Sequence, residues 1–139
     1  MSAEEKKTLA IHQVMDRMAA VQHKSQAFVD RINRQESLTQ NQIMLLFQLR
    51  LMGKLNITDI SERFVITPGA ASSMCDRLEE AALIERVRTK EDRRVVNIIL
   101  TEQGERRILD LFDRFATAEL DKIADTLSKI QILMDEIIE

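Results

Sequence analysis

"TPGAASSMCDRLEEAALIERVRTKEDRRVVNIILT", residues 67–101, changes its period once, and that change decides the fold. Ala71, Met74, Cys75 and Leu78 fall at i, i+3, i+4 and i+7, one face of a helix. Thr67 stands where an N-cap is needed, and Pro68 takes the first helical position, where its missing N–H costs nothing. After Leu83 the pattern turns to strands: "IERVRT" alternates and "VVNIIL", Val95 to Leu100, is rich in β-branched residues. Between them lies the polar "KEDRR". The stretch predicts a helix followed at once by a two-stranded hairpin with a charged tip.

Opposite the apolar face, the helix opens with Thr67, Gly69, Ala70, Ser72 and Ser73, and only then carries Asp76 and Arg77. A helix that enters the major groove needs a slim N-terminal half, with hydroxyls and backbone N–H groups for phosphate oxygens. Close packing against another helix would suit the same small residues. The hairpin shifts the balance, because Arg88, Lys90, Arg93 and Arg94 ride on a short arm just beyond the helix. An arginine there can enter the narrow minor groove, where negative potential is focused. Asp92, two residues before Arg94, can fix that side chain. A solvated turn with local ion pairs is the ordinary fate of such a charge run; the surrounding helices argue for the sharper reading.

Working outward, "NITDISERFVI" forms a short amphipathic helix with Ile57, Ile60 and Phe64 on one side, so a helix-turn-helix precedes the hairpin. Before it, "SLTQNQIMLLFQLRLMG" has a capping box in Thr39 and Gln42, staple positions at Leu38 and Ile43, and a stop at Gly53. Residues from about Thr8 to Ile32 carry Ile11, Val14, Met15, Met18, Val21, Phe28 and Ile32 as a long helical stripe. Thr101 and Glu102 restart a helix after the hairpin, with an acid at the positive end of its dipole. Ile108, Phe112, Phe115, Ile123, Leu127, Ile130, Met134 and Ile137 then carry apolar stripes to the C-terminus, with a break expected near Thr126 to Lys129. The fold expected is mainly α: a winged helix-turn-helix with a two-stranded β wing, residues 37–102. Long terminal helices, residues 1–36 and 103–139, flank it in one domain. Their stripes exceed what one small core can absorb, so two copies should pack them together as a homodimer.

The 139 residues are 45% hydrophobic and 31% charged, the profile of a soluble globular chain. The net charge of −3 hides a polarity: residues 86–94 hold five basic and two acidic side chains, a local +3 that leaves −6 elsewhere. Such a patch steers polyanions whatever the total says. "MSAEEKKTLAIHQ" has no apolar core of a signal peptide, "IMLLF" is too short to span a bilayer, and one cysteine excludes an intrachain disulfide. A cytoplasmic protein without membrane partners is expected.

"LTQNQIMLL" and "ITDISERFVITPGAASSMCDRLEEAALIERVRTKEDRRVVNIILTEQG" together resemble the multiple-antibiotic-resistance regulator (MarR) family of bacterial winged-helix transcription factors. The most specific piece is "DRRVVNIILTEQG", which follows the family's wing pattern of Asp, any residue, Arg, a strand, Leu-Thr and a helix with Gly. The resemblance spans Leu38 to Arg107 by motif and the remainder by helix layout. It implies a triangular homodimer whose two lobes read a pseudo-palindromic operator in double-stranded DNA, usually as a repressor. Ser72, Ser73 and Arg77 would then lie at the major groove and its phosphates. Arg94, with Arg93, would be the wing arginine, braced by Asp92 and shared with Asp76, which matches a family aspartate. Ser73 departs from the basic residue often found there, so groove shape and Arg77 would carry more of the recognition.

The family also implies release of DNA by a small-molecule effector or by cysteine oxidation. Cys75 falls on the core side of its helix, the family's peroxide sensors place their cysteine in the first helix beside tyrosines, and this chain has no tyrosine. A packing role is expected for it. His12 and His23 have no ligand cluster around them, so neither a metal nor a cofactor is expected. The seven methionines read as core and dimer packing. No nucleotide loop and no nucleophile-base pair is present, so no catalytic residue is named. A winged-helix module that binds protein rather than DNA is the rival reading.

Overall fold

The computed structural model describes residues 1–34 and 37–138. Of the expected domain boundary between residues 36 and 37, Glu36 lies outside the described residues, as does Glu139 at the end. Helices α1 (Ala3–Asn33), α2 (Gln40–Met52), α3 (Ile57–Phe64) and α4 (Pro68–Glu80) precede the wing; α5 (Glu102–Phe112) and α6 (Thr117–Ile138) follow it. Strands β1 (Leu55–Asn56), β2 (Ile84–Arg88) and β3 (Val96–Leu100) form one antiparallel sheet in the order β1-β3-β2. The expected hairpin is therefore present with a third strand added at its edge. Leu55 and Asn56 pair with Ile98 and Asn97, a segment too short to show a period in sequence.

The α2 capping box forms as read: Thr39 Oγ1 accepts from the Gln42 N–H at 3.2 Å, and the Gln42 side chain accepts from the Thr39 N–H at 2.9 Å. Asn56 and Asp59 repeat the device at the start of α3, at 2.8 and 3.0 Å. The turn between α3 and α4 is held by Ser61, whose hydroxyl donates to the Ile66 carbonyl at 2.6 Å and whose own carbonyl accepts from the Ile66 N–H. One core joins Leu45, Leu46 and Leu49 of α2, Ile60 of α3, Ala71, Cys75 and Leu78 of α4, Ile84 and Ile98 of the sheet, and Ile108 of α5. A second cluster, Ile32, Ile43 and Leu111 with Phe47, Phe112 and Phe115 against it, fastens the end of α1 to the lobe. Arg114 closes the same corner, stacked 4.6 Å over Phe115 and donating to the Arg31 carbonyl.

Two outcomes differ from the sequence reading. The C-terminal helix breaks at residues 113–116, between Phe112 and Thr117, and runs unbroken through Thr126 to Lys129. Phe112, at the end of α5, and Phe115, within the break, both pack against the second cluster, with their rings 6.4 Å apart. Also, α1 begins at Ala3, where Ser2 caps it through the Glu5 N–H, five residues before the start expected near Thr8.

The terminal helices are uncovered. Residues 1–27 are all exposed, α6 has no buried residue, and Met15, Met18 and Ile137 are 60%, 67% and 77% exposed. Apolar stripes of that extent mark an interaction surface. No helix among the described residues is long and apolar enough to cross a membrane.

Candidate nucleic-acid interface

Helix α4 starts as its sequence dictates. Thr67 Oγ1 accepts from the Ala70 N–H at 3.0 Å, and Pro68 takes the first turn. Ala71, Cys75 and Leu78 are sealed in the core. The opposite face, Thr67, Gly69, Ala70, Ser73, Asp76 and Arg77, lies exposed, with Ser72 half-buried at its edge. A methyl group added at Gly69 would meet only the Thr67 hydroxyl, at 3.9 Å. The bare front of α4 is turned outward, away from the other helices, so close helix packing does not account for it.

The wing tip is a knot of short bonds. Thr89 Oγ1 accepts from the Asp92 N–H at 3.0 Å and donates to the Asp92 carbonyl at 2.9 Å. Arg88, itself exposed, donates one bond to the Arg93 carbonyl at 2.6 Å, which ties its side chain to the tip. Asp92 Oδ1 accepts from both the backbone N–H and the Nε of Arg94, at 3.0 and 3.1 Å. The Arg94 side chain is nevertheless 93% exposed. Such an ion pair adds little stability in water; its effect is to restrict the directions in which the guanidinium points. Lys90 and Arg93 are exposed beside it.

A residue that sequence reasoning only counted as part of the basic run sits between these two elements. Arg86 of β2 reaches across to α4, where Nη2 donates to Asp76 Oδ1 at 2.8 Å and to the Ser72 carbonyl at 3.2 Å, and Nη1 donates to Glu79 Oε1 at 2.8 Å. Burial alone would lower the pKa of this guanidinium, but its hydrogen bonds to the two carboxylates outweigh that and raise it. Its inward register was available in the alternation of "IERVRT"; its partners were not.

Residues 38–96 match the MarR family model. Among relatives, the uncharacterized HTH-type transcriptional regulator YsmB of Bacillus subtilis is 30% identical over 108 residues, covering 70% of this chain and 74% of that one. The chain belongs to the MarR family.

The HTH-type transcriptional repressor MdtR of B. subtilis is 37% identical over 70 residues, half of this chain and 45% of that protein, so the match spans less than half of MdtR. A mutant MarR from E. coli, solved in complex with operator DNA, superposes with a TM-score of 0.75 at 18% identity, covering 94% of this chain and 96% of that one; this likeness bears on the fold.

Within this MarR frame Asp76 needs correcting. It was expected to share the wing arginine Arg94, and it is instead held by Arg86, so it ties α4 to the root of the wing rather than to its tip. The physical reason is reach: Asp76 faces β2, whereas Arg94 folds back on its own neighbour Asp92. Arg77 is left as the cation on the exposed front of α4. Cys75 is buried, and burial, only partly offset by the nearby Arg86, raises its thiol to about 11. Among the described residues no group of His, Cys, Asp and Glu could hold a metal ion.

Proposed function

We propose that the chain acts as a homodimeric repressor on a pseudo-palindromic operator. The exposed face of Thr67, Gly69, Ala70, Ser72, Ser73 and Arg77 would enter the major groove, while Arg88, Lys90, Arg93 and Arg94 bring the wing to the adjacent phosphates and minor groove. Asp92 aims Arg94, and Asp76 braces the wing's root. The observation that carries this reading is the pairing of a small-residue helix face, open to solvent, with an arginine that is tethered yet 93% exposed beside it. The uncovered apolar stripes of α1 and α6 supply the dimer faces, with residues 37–102 as the reading lobe and α5 bridging through Ile108 and Leu111. The role is one of binding, without catalysis, in the cytoplasm.

An effector site fits the cleft of about 490 Å3 beside the α5–α6 break, where Phe28, Phe115, Ile123 and Leu127 form apolar walls and Arg31 and Lys122 bring charge. A small amphipathic molecule bound there would contact α1 and α6 at once, and so bias how the two lobes are spaced.

The test is binding to the intergenic DNA beside the chain's own gene, located by footprinting. Affinity should fall steeply with salt through counterion release. Arg94→Ala should cost on the order of 1–3 kcal/mol and lower the salt slope by about one. A chain that binds no duplex in a salt-dependent way, yet captures a protein through the same face, would instead be an interaction module.

A further inference from the structure

Along the inward face of β2 run Ile84, Arg86 and Arg88, opposite Leu100, Ile98 and Val96 of β3. Ile84 is sealed in the core, Arg88 is exposed with one bond to the tip, and Arg86 stands midway with its side chain 25% exposed. From there it grips three positions on one stripe of α4: Ser72, Asp76 one turn on, and Glu79 a further turn on. Ser72 and Asp76 border the front that faces outward. The wing has no other hydrogen bond or ion pair to α4 among those described; its remaining support comes from β1, which pairs with β3 at Ile98 and Asn97, and from Val96 against the core.

We infer that Arg86 is a positioning residue that locks the wing to recognition helix α4, so that Arg94 and the front of α4 meet a duplex in one fixed register. This rests on the DNA-binding reading. A carbonyl and two carboxylates take bonds from both Nη atoms, and the two carboxylates offset its charge, which disfavours a phosphate as its partner. Its planar fork matters, because three acceptors on two successive turns fix both the distance and the tilt of the hairpin. A lysine ammonium has neither the planarity nor the span to hold all three.

The clamp predicts thermodynamic coupling between residues that do not touch. The probe is the duplex that the wild-type chain selects from a random-sequence pool, with affinity measured across a salt series for Arg86→Met, Arg94→Ala and the double variant. Arg86→Met should weaken binding about tenfold and lower the salt slope by about one, as Arg94→Ala does, because a loose wing no longer delivers its arginine. With Arg94 already removed, the same change should cost less than about twofold and leave the slope alone. Arg86→Lys should recover only part of the loss. If Arg86→Met does not fold, Glu79→Gln, which removes one grip and leaves no buried charge, enters the same cycle and should show the same coupling at smaller size. Losses that multiply, with a further unit of slope lost in the double variant, would overturn the clamp and make Arg86 a phosphate contact. A wild-type chain that selects no duplex removes the DNA-binding reading and the clamp with it; selection with independent losses removes the clamp alone.

Discussion

Gly104 is the third residue of α5, and a methyl group placed there would lie 2.1 Å from the Leu83 carbonyl oxygen and 3.1 Å from Leu100 Cδ2. Carbon and carbonyl oxygen meet comfortably at about 3.3–3.6 Å, so Gly104→Ala must push the start of α5 away from the α4–β2 corner by more than about 1 Å. That corner is where Thr101 donates from its N–H to the Leu83 carbonyl at 3.1 Å and from its hydroxyl to the Ala82 carbonyl at 2.6 Å. Overpacking costs about 1–3 kcal/mol. Weakening two hydrogen bonds adds about 1 kcal/mol each, and the better helix propensity of alanine returns at most about 1 kcal/mol. The expected net loss is about 2–4 kcal/mol, or a fall in melting temperature on the order of 10 °C. Urea and thermal unfolding, both at one fixed protein concentration because an oligomer's stability depends on it, would measure the loss. An alanine variant within about 0.5 kcal/mol of the parent would refute the packing assigned to this corner.

Gly69→Ala should behave oppositely: with open space in front of it, the variant should match or slightly exceed the parent in stability while losing operator affinity, as titration with the selected duplex would reveal. Ala82 closes α4 at φ 63°, with the Leu83 N–H returning to the Leu78 carbonyl at 3.0 Å, so Ala82→Gly should relieve left-handed strain and gain about 0.5–1 kcal/mol in denaturant unfolding. Cys75 gives a pH signature: a thiol raised from 9.0 to about 11 stabilises the fold fully below pH 9 and loses that contribution as pH rises toward 11. A loss of roughly 2–3 kcal/mol across that window should be absent from Cys75→Ala, and a parent with the same pH profile as that variant would contradict the assignment.

Where a local signal existed, the sequence could be read closely. The cap residues Thr39, Thr67 and Thr101 mark the starts of α2, α4 and α5, and the switch from a helical to an alternating period at Leu83 marks the wing. β1 escaped because two residues have no period; it is a strand only because β3 offers it an edge at Ile98 and Asn97. The α5–α6 break was misplaced because the apolar stripe continues through both segments, so side-chain spacing carries no sign of the turn at residues 113–116.

The candidate site divides along the same line. Sequence alone determined which residues α4 offers outward, since helical spacing assigns Ala71, Cys75 and Leu78 inward and thereby frees the opposite face. It also determined the Asp92–Arg94 tether, because two residues of separation leave little freedom. Tertiary structure alone decided the partner of Asp76. Arg86 is ten positions away in the chain, and whether it or Arg94 reaches that carboxylate depends on how the hairpin lies across the helix, a relation between elements that no spacing within either one encodes.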